Sequence, residues 1–375
     1  MFNILKKKKK HVIFIMLDQF RRDFVSSNTY IESTLKQGVF FSNAITYAPY
    51  TVGAMHAVFS GMYGNLNGAN CYYGSKLFKD KECATMAEYF QKNGYTTYGD
   101  TYSDLTLPRK GFDHYSTFDE EKENHKERHM KLVSELDTSK PVFAYFHYGF
   151  IHTCLMKDVL KKYDDFSDEL FSNHEKNKER YAGYIASAGN YLQGMIEAIK
   201  SKGIYDDSMI IILTDHGSSL GEKKGEKAYG SYTYQYTINT WFSILNSGFS
   251  PREIKERVRT IDLLPTLLNI CNFKELSYPL TIQGDDLTPM IKGKEHGHRI
   301  ACCETAPLGG YNPSPENPIV KCILDGDWKY IVNTANSEEE LYNIKDDPTE
   351  KNNLIESNYQ ISSELRSKLD QQLGI

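Results

Sequence analysis

No run in this chain is long and apolar enough to be read as a membrane span, which takes about 20 consecutive apolar residues. None of the seven cysteines belongs to a CxxC pair, and the adjacent Cys302 and Cys303 are poorly placed to bridge each other. An odd, scattered cysteine count argues against a disulfide framework and for reduced thiols in a cytoplasmic protein. There is no surplus of basic residues: the formal charge of −5 leaves no electrostatic footprint for nucleic acid as a partner. There is also no internal repeat at solenoid periods. With 40 % hydrophobic and 25 % charged residues over 375 positions, the chain has the make-up of a globular α/β protein that builds a sizeable core.

The single basic run, KKKKK at 6–10, precedes HVIFIML. Asp18 ends that apolar stretch after seven residues, too soon for a span and at the bottom of the length of a signal h-region. The expectation is a solvated tail over 1–10.

Short apolar runs then alternate with amphipathic stretches. HVIFIML (11–17), TTYGD (96–100), PVFAYFHY (141–148) and SMIIILTD (208–215) read as strands. Segments 30–38, 83–95, 179–203 and 261–271 read as helices, three of them closed by Gly38, Gly94 or Gly203. This alternation predicts an α/β fold with a mostly parallel central sheet sandwiched by helices. We assign it to 11–290. After about residue 290, CILDGDWKYIVN, EELYNI and a polar C-terminal helix predict a small α+β subdomain over 291–375. The charged stretch 119–129 reads as an exposed excursion.

Ligands of open α/β sheets bind beyond the carboxyl ends of the strands. Three of the expected strands end in polar residues there: Asp18 and Gln19, His147 and His152, and Asp215 and His216. Singly, each Asp is as well explained as a helix cap; together they converge. Carboxylates with an imidazole suit one divalent cation, Mn²⁺ or Zn²⁺ ahead of Mg²⁺, with Ca²⁺ preferring oxygen alone. In APYTVGAMHAVFSGMYG (48–64), Thr51 falls at a helix start. It either caps that helix or presents its hydroxyl where amides and the helix dipole favour an anion.

These segments resemble the alkaline phosphatase and sulfatase superfamily nearly end to end. VIFIMLDQFRRD is similar to the family's first strand, GVFFSNAITYAPYTVGAMHAVFSGMYG to its nucleophile segment, and LTDHGSSLGE to its metal-binding Asp-His pair. ELYNIKDDPTEKNNL is similar to its C-terminal signature. The resemblance implies that Asp18, Asp215 and His216 are metal ligands and that Thr51 is the nucleophile on the same ion. It implies that His152, and also His147 unless that is a core histidine, hydrogen-bonds the substrate or protonates its leaving group.

The departures narrow the expectation. Thr51 replaces the Cys or Ser that sulfatases convert to formylglycine, and Met55 replaces an Arg, whose charge His56 or Lys227 is expected to supply. Gln19 and Asn190 stand where relatives often carry acids, and Ser231 where they carry His, which favours a single cation. The sequence therefore predicts a phosphoester hydrolase or phosphoryl transferase, of phosphodiesterase or phosphoglycerol-transferase type, acting on a small-molecule or glycan ester. A sulfuric ester hydrolase is the alternative, and a non-catalytic glycan-binding member the third reading. Homo-oligomerisation is compatible with all three.

Overall fold

A computed structural model of the chain describes residues 11–160, 169–224, 226, 228–306 and 318–374. Lys227 lies outside the described residues. The strands of the main sheet are β1 (His11–Leu17), β2 (Val39–Ile45), β3 (Thr96–Thr101), β4 (His114–Thr117), β5 (Val142–Tyr148), β6 (Ser208–Leu213), β7 (Asn239–Leu245), β8 (Arg252–Ile254) and β9 (Val258–Arg259). Their order is β4-β3-β5-β1-β6-β7-β2-β8, with β9 also pairing to β2. Only β7 opposes the rest, pairing antiparallel with both β6 and β2.

β1 is apolar throughout and buried on both faces, as a central parallel strand must be. Val12, Phe14 and Met16 join one core with the Thr51–Ser60 helix and the Leu263–Cys271 helix. Ile13, Ile15 and Leu17 join the other, with the His174–Ser201 helix. The expected parallel α/β sandwich is therefore the observed one. β7 was not foreseen: its seven residues, NTWFSIL, carry no turn signal that separates them from the loop before them.

The second sheet is antiparallel: β10 (Ala301–Thr305), β11 (Val320–Asp325), β12 (Trp328–Asn333) and β13 (Glu338–Asn343), followed by the Tyr359–Leu373 helix. It packs Cys302, Ile323 and Tyr330 against Tyr50, Val52 and Ala57 at and beside the start of the Thr51–Ser60 helix. The small C-terminal subdomain thus buttresses the segment that carries the candidate nucleophile.

One expectation fails in part. Stretch 119–129 is not simply exposed: its second half begins the His125–Glu135 helix, and His125 and His129 are buried. Its charged residues alternate with those inward histidines, a pattern that a count of charge conceals.

Candidate active site

Register brings the site together. Met16 of β1 pairs with His147 of β5 on one side and Leu213 of β6 on the other, so the three strands end level. Asp18, His147, Asp215 and His216 are completely buried there.

The two carboxylates share one design. Asp18 Oδ2 accepts two hydrogen bonds, from His147 Nε2 at 3.1 Å and the Tyr102 hydroxyl at 3.1 Å. Asp215 Oδ1 also accepts two, from the amides of Gln19 at 3.2 Å and His216 at 2.9 Å. Each acid has its second oxygen, Asp18 Oδ1 and Asp215 Oδ2, buried and without a hydrogen bond. His216 Nδ1 lies 2.8 Å from the Gly217 carbonyl, which only accepts, so Nδ1 holds the proton and Nε2 presents its lone pair. Nε2 stands 3.7 Å from Asp18 Oδ1 and 3.4 Å from Asp215 Oδ2.

One ligand atom from each of these three residues falls within 4.8 Å of the others. Two buried carboxyl groups with free oxygens are costly unless a cation meets them, so the donor set fits a divalent ion. Gln19 adds a donor that sequence reading discounted: its amide oxygen and nitrogen are both buried without partners. Its φ of 59° is strained for a side-chain residue and aims the Gln19 N–H at Asp215.

Charge follows the same geometry. Burial pushes Asp18 upward, but the His147 hydrogen bond and then the charge of His152 outweigh it, leaving the carboxyl below its usual range. Burial, and then the negative charge of Asp18, raises Asp215. One acid of the pair is held charged at the expense of the other.

Thr51 is the first residue of its helix. Tyr50 occupies the cap position and makes no side-chain cap, so the capping role open to Thr51 in the sequence is not the one it has. Its Oγ1 is 3.3 Å from His216 Nε2. A Cβ at Gly53 would stand 2.7 Å from Ala48 Cβ, so the tight entry into this helix needs glycine.

The remaining expected residues divide. His147 touches Asp18 and orients that carboxylate, accepting at Nδ1 from Tyr145 and Thr101. His152 lies between Glu120 and Tyr229, with Nδ1 3.1 Å from Glu120 Oε2 and Nε2 3.1 Å from the Tyr229 hydroxyl. Burial opposes its charge, but Glu120 and then Asp18 prevail, raising its pKa.

His56 does not supply the missing cation. It is buried, bonded at 2.8 Å to the Val52 carbonyl and packed edge-on against Phe78, and burial lowers its pKa to about 4. All ten residues of its helix are buried, so no polar face marked it as inward. Asn190 sits on the exposed side of its helix and Ser231 is buried. Glu120, Tyr102 and Tyr229 escaped the sequence reading, two of them hidden among 27 tyrosines.

A metal-type acid cluster thus stands beside a hydroxyl beyond the carboxyl ends of a mostly parallel sheet, where α/β folds bind their ligands. The chain belongs to the sulfatase family, whose family model matches residues 10–273, while the model for the C-terminal part of N-sulphoglucosamine sulphohydrolase matches 241–374. It is 24 % identical over 195 residues to a choline-sulfatase of Rhizobium meliloti, a stretch covering 52 % of this chain but only 36 % of that protein. It is 24 % identical over 346 residues to an endo-4-O-sulfatase of Bacteroides thetaiotaomicron, covering 72 % of this chain and 67 % of the relative. The fold is shared with the phosphonate monoester hydrolase of Agrobacterium radiobacter, at a TM-score of 0.74 and 15 % identity, covering 97 % and 95 % of the two chains.

Proposed function

We propose that this chain is a metal-dependent enzyme that cleaves phosphoric esters, or transfers their phosphoryl group, with Thr51 as the attacking hydroxyl. The observation that carries the reading is the position of Thr51 Oγ1, 3.3 Å from His216 Nε2 at the edge of the paired acids. A divalent cation held by Asp18, Asp215 and His216, with Gln19 beside them, would supply positive charge for the attacking and substrate oxygens. The amides of the first helical turn favour negative charge on Thr51. His152, whose Nε2 lies 3.1 Å from the Tyr229 hydroxyl, donates a proton from that nitrogen to the departing oxygen. His147 and Tyr102 hold Asp18 in place.

Sulfate-ester hydrolysis is the second reading, and the names of the relatives favour it. Against it stands the chemistry of residue 51. Formylglycine, as a hydrated aldehyde, releases a bound sulfate by breaking its own C–O bond. A threonine ester has no such exit and is cleared only by a second attack at the central atom, the in-line displacement of phosphoryl transfer.

The two readings separate on the Mn²⁺-loaded chain assayed with bis(4-nitrophenyl) phosphate, 4-nitrophenyl phosphate and 4-nitrophenyl sulfate. Turnover of a phosphoric ester that falls on the order of 10⁴-fold in Thr51→Ala supports the proposal. Faster turnover of the sulfate, or turnover that survives Thr51→Ala, contradicts it.

A further inference from the structure

The stretch 119–129 looks in sequence like solvated charge, yet it delivers one carboxylate to the site. Glu120 Oε2 lies 3.1 Å from His152 Nδ1 and accepts the Thr153 hydroxyl at 3.0 Å. Both partners belong to the Phe150–Leu155 helix, which begins where β5 ends. The Thr153 N–H donates to the Gly149 carbonyl at 2.9 Å, so the residue that offers its hydroxyl to Glu120 is itself fixed at the helix start. The Tyr102 ring closes the arrangement, 5.4 Å from the His152 ring. Gly149 permits that closure, since a Cβ there would meet the Tyr102 ring at 3.0 Å and Glu120 Oε2 at 3.6 Å.

A carboxylate accepts and never donates, so Nδ1 of His152 carries a proton and its working nitrogen is Nε2. The His152 side chain is only 11 % exposed, and that of Glu120 23 %. Water competes weakly for the bond between them.

We propose that Glu120 is a positioning residue: its carboxylate keeps a proton on Nδ1 and fixes the ring of His152, so that the second proton of the imidazolium, on Nε2 beside the Tyr229 hydroxyl, is the one given to the leaving oxygen of the ester. The inference rests on the reading of His152 as the proton donor given above. In the first step the bond from Thr51 Oγ1 to phosphorus forms and the bond from phosphorus to the leaving oxygen breaks. The released electron pair takes the Nε2 proton, and the Thr51 hydroxyl proton leaves to solvent. In the second step water attacks phosphorus, its proton passes to Nε2, and the Oγ1–phosphorus bond breaks as Thr51 regains a proton from solvent. Nδ1–H stays on Glu120 throughout.

The groups that set the charge of His152 come from four directions. Glu120 precedes the His125–Glu135 helix, Tyr102 follows β3, Asp18 follows β1, and Asp215 and Tyr229 follow β6. Glu120 is the one that hydrogen-bonds Nδ1.

The test uses leaving groups of different acidity, because a poor leaving group needs the proton and a good one hardly does. The Mn²⁺-loaded full chain and its Glu120→Gln and Glu120→Asp variants are assayed on methyl phenyl phosphate and methyl 4-nitrophenyl phosphate. We expect Glu120→Gln to lose on the order of 100-fold in kcat on the phenyl ester and about threefold or less on the 4-nitrophenyl ester. The alkaline limb of its pH profile moves to lower pH, and Glu120→Asp restores part of the loss. Equal losses on both esters, or no loss, overturn the proposal.

A second readout is independent of turnover. In the ¹⁵N-histidine-labelled, Mg²⁺-loaded chain, with the His152 signals assigned through His152→Gln, Glu120→Gln lowers the His152 titration midpoint by about one pH unit. An unmoved midpoint overturns the inference even if Thr51→Ala has already disproved the ester chemistry.

Discussion

Buried charge is handled in opposite ways in two parts of this molecule. Where the C-terminal subdomain meets the main sheet, Lys329 and Glu350 are both buried and paired with each other. Lys329 Nζ also donates to the Thr233 carbonyl, and Glu350 accepts the Gln235 amide at 2.7 Å. At the ends of β1 and β6, Asp18 and Asp215 are just as buried, yet each keeps an oxygen that accepts nothing. The first arrangement is complete within the chain. The second is completed only by something positive from outside, which is why we read one as scaffold and the other as a site.

Breaking each set should change stability in opposite directions. Glu350→Gln strands the Lys329 charge and is expected to destabilise the chain by about 3 to 5 kcal/mol, measured by urea unfolding. Asp215→Asn keeps an oxygen for the Gln19 and His216 amides but removes a charge that burial and Asp18 oppose. It is expected to raise the stability of the metal-free chain, measured in the same way. If both substitutions destabilise the metal-free chain alike, the contrast fails.

His56 sharpens the comparison with a buried group that is neutral by design. Its folded pKa, about 4, lies below the ordinary 6.5, so its contribution is fully present above pH 6.5 and is lost as pH falls towards 4. At about 1.4 kcal/mol per pH unit the gap amounts to about 3 kcal/mol. Unfolding free energies of the wild type and His56→Gln at pH 7 and pH 4 should show the wild type losing about that much more. Equal losses would mean that His56 is solvated or paired in the fold.

Much of this was legible in the chain, for a physical reason. Central parallel strands are apolar on both faces, so HVIFIML, PVFAYFHY and SMIIIL declare themselves, and the polar residues that end them fall where such sheets bind ligands. Asp18, Thr51, Asp215 and His216, which the fold brings together, were singled out by that logic together with the family resemblance. Residues placed by irregular chain were not. Glu120 reaches His152 through a loop whose path depends on tertiary packing, Tyr102 sits just past β3, and Tyr229 lies in the long irregular stretch between β6 and β7, where there is no periodic signal. The role of Gln19 needed coordinates as well, since only they show its amide buried without partners.

The most direct test of the central claim is the metal content of the chain after equilibration with Mn²⁺ and gel filtration. We predict that the wild type retains a single cation per chain, that the Asp18→Asn, Asp215→Asn double variant retains none, and that Thr51→Ala remains loaded. Retention by the double variant equal to that of the wild type, or a wild type that holds no cation, would contradict the account.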